Sequence, residues 1–124
     1  MKIYHNPRCR KSREGVKYLV DKKLDFEIID YLREGISENN MKSILKKLNI
    51  SAIELVRKNE KIWKDNFKGK ELKKEEIITI LCKEPKLIER PIIVYKNRAV
   101  IGRPKENIDK LLGYNHNSKL FIIK

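Results

Sequence analysis

The chain has 124 residues, 40% of them hydrophobic, and carries 30 Lys and Arg against 17 Asp and Glu, for a formal net charge of +13. That length fits one domain with a core of its own, the two cysteines and two histidines give neither a disulfide framework nor zinc spacing, and no run approaches the roughly 20 apolar residues of a membrane span. The excess charge invites a nucleic-acid partner through counterion release, but Lys and Arg alternate with Asp and Glu and no stretch interleaves cations with aromatics, so a Lys-, Ile- and Asn-rich composition is the simpler account.

Lys2 to Tyr4 reads as a strand, and Val16, Leu19 and Val20 recur at helical spacing in a helix from about Arg10 to Lys23. Cys9 therefore falls at a strand-to-helix turn, with the helix start aimed at its sulfur and Arg8, Arg10, Lys11 and Arg13 around it. Unsatisfied N–H groups, the helix dipole and nearby cations all favour thiolate over thiol, and together lower a cysteine pKa from about 8.5 to between roughly 3.5 and 7.5. The same elements bind oxyanions. A nucleophilic sulfur in an anion-binding loop points to chemistry on a small tetrahedral anion. His5 is placed to polarise this loop or to bond to backbone at the strand end, while Asn6 and Ser12 suit turn and helix-start hydrogen bonds.

Phe26 to Tyr31 supplies a second strand and completes a β-α-β opening. Ser37 then caps a helix with Met41, Ile44, Leu45 and Leu48 on one face, and Ser51 with Glu54 has capping-box spacing for a short helix carrying Ile53, Leu55 and Val56. Trp63, Phe67 and Gly69 read as a linker with buried aromatic anchors. A further helix spans about Lys73 to Lys83, with Ile77, Ile78, Leu81 and Cys82 inward, and Pro85 ends it. On that apolar stripe Cys82 reads as core. The chain returns to β at Ile92 to Tyr95 and Ala99 to Ile101, a hairpin joined through Lys96-Asn97-Arg98. Pro104 opens a last helix holding Ile108, Leu111 and Leu112, and Gly113 closes it. The tail from Tyr114 to Lys124 contains Leu120-Phe121-Ile122-Ile123, apolar enough to pack on the body or on a partner.

This order predicts an α/β, thioredoxin-like fold with a helical insertion between its β-α-β and β-β-α halves: one domain over residues 1–113, the insertion at about 36–89, and a tail at 114–124. In such folds the nucleophilic cysteine opens the first helix, as Cys9 does. A proline before the third strand faces it in the cis form, and Pro91 holds that place.

Four segments now carry a resemblance: Tyr4-His5-Asn6-Pro7 with Cys9 and Ser12-Arg13, then Leu55-Val56-Arg57-Lys58-Asn59, Arg90-Pro91-Ile92-Ile93-Val94 and Gly102-Arg103-Pro104. Over about residues 1 to 113 the chain closely resembles the glutaredoxin-coupled arsenate reductase family. The resemblance implies that Cys9 is the catalytic nucleophile and that Arg57, Arg90 and Arg103 gather round its sulfur to bind the oxyanion, with His5, Asn6, Ser12 and Pro91 in support. It implies arsenate as substrate, glutathione as co-substrate, glutaredoxin as protein partner, and neither a metal nor a bound cofactor. Arginine suits the role because its planar guanidinium makes paired, charge-assisted hydrogen bonds to tetrahedral oxyanions.

Two positions depart from the family pattern. Arg10 and Lys11 follow the cysteine where small residues are common, which deepens the anion attraction and narrows access. Ser12 stands where the related Spx-type regulators, which bind RNA polymerase, carry a second cysteine, so their dithiol switch is missing. The competing functions are such a regulator and a thiol oxidoreductase of the same fold with no arsenate activity. With no apolar leader at Met1-Lys2-Ile3-Tyr4, a cytoplasmic monomer without nucleic-acid or membrane partners is the expectation.

Overall fold

The computed structural model describes residues 1–113; the apolar tail and His116 lie outside the described residues. The contacts divide the described residues into two compact units, one combining residues 1–30 with 90–113, the other Tyr31–Glu89.

The first unit holds a four-stranded sheet of β1 (Lys2–His5), β2 (Glu27–Asp30), β3 (Ile92–Tyr95) and β4 (Arg98–Ile101), in the order β2-β1-β3-β4. β1 and β2 are parallel, with Ile3 opposite Ile28, and are linked by helix α1 (Arg10–Asp21). β3 runs antiparallel to both β1 and β4. The outcome is the thioredoxin-like arrangement of a β-α-β half and a β-β-α half. Its core joins Ile3, Leu19 and Ile93 to Ile108, Leu111 and Leu112, all buried, so α1 and the last helix, Glu106–Leu112, share the apolar residues of the two central strands. Burying a side chain of this size contributes about 1.5–3 kcal/mol.

Local chemistry sets the boundaries. The first helix stops at Asp21, short of Lys23, because Lys23 turns left-handed at φ 57° and the Lys23 and Leu24 N–H groups fold back to the carbonyls of Val20 and Leu19. That pair of bonds closes the last turn, and Leu24 packs beside Leu19. Val20 is 57% exposed, so its helical spacing does not place it in the core. The hairpin turn is two residues, Lys96-Asn97, with Lys96 left-handed at φ 56°, and Arg98 already pairs with Tyr95. β2 ends at Asp30, and Tyr31, expected as its last residue, instead starts a helix.

The second unit is helical: α2 (Tyr31–Glu34), α3 (Glu38–Leu48), α4 (Lys61–Asn66) and α5 (Lys74–Lys83), with 3-10 turns at Ala52–Leu55 and Pro85–Leu87. Ser37 Oγ accepts from the Asn40 N–H at 3.1 Å, and Glu54 accepts from the Ser51 N–H at 2.7 Å, so both expected caps form. Asn49 ends α3 in the left-handed region. Met41, Ile44 and Leu45 of α3 and Ile77, Ile78 and Leu81 of α5 are buried, and these two helices pack together. The stretch around Trp63, expected as a linker, is α4. Trp63 is buried, and its ring lies 5.5 Å from that of Phe67, which caps the helix. Packing of one large aromatic orders a segment too short to show a period. Among the described residues no helix is long and apolar enough to cross a membrane. With α1 to α5 thus defined, the Glu106–Leu112 helix is α6.

Candidate active site

Cys9 is the N-cap of α1, with extended backbone at φ −96° and ψ 121°. The turn leading to it is closed by backbone and side-chain hydrogen bonds. The Cys9 N–H donates to the Asn6 carbonyl at 3.0 Å, the Asn6 Oδ1 accepts from the Arg8 N–H at 3.0 Å, and Arg13 Nη1 donates to the Pro7 carbonyl at 3.0 Å. Ser12 is fully buried; its Oγ accepts from the Asn6 N–H at 2.9 Å and lies 2.7 Å from His5 Nδ1. His5, Asn6 and Ser12 thus form one knot between the end of β1 and the first turn of α1.

Arg90 enters from the other half of the sheet unit. Its side chain is buried, its Nε donates to Cys9 Sγ at 3.1 Å, and its Nη1 has no hydrogen-bond partner among the described residues. Burial pushes the Cys9 thiol up, but the Ser12 N–H, the hydrogen bond and charge of Arg90, and the Lys11 N–H outweigh it, so the pKa lies below the ordinary thiol value. For His5 it is the neutral form that is favoured. Burial disfavours the imidazolium, Asp30 favours it, Arg13 opposes it, and the net shift is downward.

The Arg90–Pro91 peptide is cis, as expected from the fold. Two glycines hold Pro91. A Cβ on Gly15 of α1 would meet Pro91 Cγ at 2.8 Å, one on Gly102 would meet it at 3.1 Å, and the Gly102 N–H donates to the Pro91 carbonyl at 2.8 Å. Arg90 is aimed at the sulfur by a proline seated where neither neighbour has a side chain. The other two expected arginines have surroundings of their own. Arg103 lines a cavity of about 400 Å³ beside α1, with Lys11 and Gly15, and precedes a second cis bond, to Pro104. Arg57 belongs to the helical unit, where Nη1 is 2.7 Å from Glu60 and Nε is 3.7 Å from Glu89. Cys82 is only half-buried, and burial together with the Glu38 charge raises its pKa.

Residues 4–111 match the family model described as ArsC family. The chain belongs to the ArsC family. Among other members it is 37% identical over 112 residues to the arsenate reductase of Haemophilus influenzae, covering 89% of this chain and 97% of that protein. It is 39% identical over 115 residues to the uncharacterized Escherichia coli K12 protein YfgD, covering 91% and 97%. The crystal or solution structures most informative for the fold include the arsenate reductase of Vibrio cholerae, which superposes with a TM-score of 0.85 at 33% identity, covering 90% of this chain and 98% of that one.

For this ArsC-family chain, the glycines are what sequence reasoning missed. Gly102 lies inside the Gly102-Arg103-Pro104 segment and was open to discovery there, whereas Gly15 reads as an unfavourable helix residue until Pro91 is seen against it.

Proposed function

We propose that this protein is a cytoplasmic arsenate reductase in which the Cys9 thiolate attacks arsenic(V), with glutathione and glutaredoxin as reductants and no resident metal or cofactor. One observation carries the reading: the Arg90 guanidinium touches Cys9 Sγ through Nε while its buried Nη1 has no hydrogen-bond partner among the described residues. An orphaned buried donor costs about 1–3 kcal/mol. An oxyanion beside the sulfur supplies the missing acceptor, and a guanidinium makes that contact strong and directional. The family likeness adds Arg57 and Arg103 as further oxyanion ligands.

The reaction balances with thiols alone. Attack forms a sulfur–arsenic bond and expels one arsenate oxygen as water after protonation; glutathione supplies a second sulfur, the two sulfurs leave joined as a disulfide, and arsenic takes the two electrons and departs as arsenite. Glutaredoxin then reduces the mixed disulfide. Ser12, in place of a second thiol at the helix start, fits a cysteine resolved by an external reductant.

A glutaredoxin-coupled assay tests this reading. Arsenate-dependent oxidation of the coupled reductant is expected, with complete loss in Cys9→Ser and a fall of one to several orders of magnitude in Arg57→Ala, Arg90→Ala or Arg103→Ala. No arsenate-dependent oxidation, together with recovery of RNA polymerase subunits on the immobilised protein, replaces the enzyme by a regulator.

A further inference from the structure

Beside Arg103, the cavity along α1 holds charges that the oxyanion chemistry does not use. Its walls include Lys11, Glu14, Tyr18 and Asp21 on the helix and Arg103 and Lys105 on the segment after β4. The acids are already paired: Glu14 with Arg10 at 3.3 Å, and Asp21 with Lys17 at 2.7 Å. Lys11 and Lys105 have no carboxylate within ion-pair distance among the described residues, and the Lys105 ammonium lies 5.8 Å from the centre of the Tyr18 ring. The ring is held in place by a hydrogen bond from its hydroxyl to Asp109. A cationic groove with a fixed aromatic floor therefore starts two residues from Cys9. From Lys11 to Asp21 the helix rises about 15 Å, enough for an extended peptide of three or four residues.

We propose that this groove seats the reductant, a small anionic peptide thiol that lies along α1 with its sulfur toward Cys9 and carboxylates on Lys11 and Lys105. This rests on the reading of Cys9 as a reactive thiolate. The apolar and aromatic floor accepts peptide backbone, and the two unpaired ammonium groups supply the selection against uncharged thiols.

Thiol–disulfide exchange tests the groove without arsenate, in a Cys82→Ala background of the full chain. The Cys9 thiolate attacks one sulfur of oxidised glutathione, the S–S bond breaks, a Cys9–glutathione mixed disulfide forms and one glutathione thiolate leaves. Bis(2-hydroxyethyl) disulfide undergoes the same step without carboxylates. The ratio of the two rates is the readout. Lys11→Glu and Lys105→Glu are each expected to lower it roughly twofold to fivefold, the size of an exposed charge contact, the ratio cancelling any change in Cys9 reactivity that acts on both disulfides alike. Lys42→Glu, the same charge change on α3, should leave the ratio unchanged, and about 1 M salt should shrink the preference. Silent charge reversals, or an equal fall in Lys42→Glu, overturn the groove assignment while the Cys9 reading stands. Failure of Cys9 to react with either disulfide overturns both.

Discussion

Arg90 Nε donates to Cys9 Sγ across 3.1 Å although the residues stand 81 apart in sequence, so the sulfur and its counter-charge meet only through the pairing of β1 with β3. Arg90→Lys keeps a charge near the sulfur but loses the fork that reaches both the thiolate and an oxyanion. We expect Arg90→Lys to retain part of the low thiol pKa yet lose about 10²-fold in arsenate kcat/KM, as for removal of one preorganised donor. Coupled kinetics and thiol titration of Arg90→Lys beside Arg90→Ala separate the two roles.

Gly15→Ala sets two effects against each other. In an open helix the change stabilises by about 1 kcal/mol. Here the added methyl meets Pro91 Cγ at 2.8 Å, and overpacking of this kind costs about 1–3 kcal/mol. The clash is expected to win, lowering the urea midpoint at unchanged slope. A higher midpoint would show that Pro91 does not sit against the helix.

His5 makes stability depend on pH. Burial, only partly offset by Asp30, lowers its folded pKa, so folding favours the neutral ring. The associated stability is present above the ordinary histidine value of about 6.5 and is lost as pH falls through the lowered folded value. Unfolding midpoints should drop as pH falls below about 6.5, and His5→Gln should flatten that limb.

Cys82 should be the slower thiol. Burial and Glu38 raise its pKa, so at neutral pH a Cys9→Ser variant should alkylate much more slowly than a Cys82→Ala variant. Equal rates would mean that the two sites do not differ electrostatically.

Where a local signal exists, the sequence is a good guide. Ser37, the Ser51–Glu54 pair and Gly113 mark helix ends by capping chemistry that needs no tertiary context, and each caps in the structure. Short elements escape, because α2 and α4 are too brief to show a period and owe their order to the burial of Tyr31 and Trp63. At the site, Cys9 is legible from its position between strand and helix, and Arg90–Pro91 from the order of strands. The seat for Pro91 on Gly15 and Gly102 is not, since a missing side chain has meaning only once the neighbour that fills the space is known. The Glu60 and Glu89 partners of Arg57 are equally hidden, because an isolated arginine gives no sign of which carboxylates it will meet.

The pH profile of Cys9 alkylation in the Cys82→Ala protein, with and without Arg90→Ala, addresses the thiolate directly. An apparent pKa below the ordinary thiol value of about 8.5, shifted upward when Arg90 is removed, is the expected result. A value at or above the ordinary thiol, or one indifferent to Arg90, would contradict activation of Cys9 by the contact on which the proposed chemistry rests.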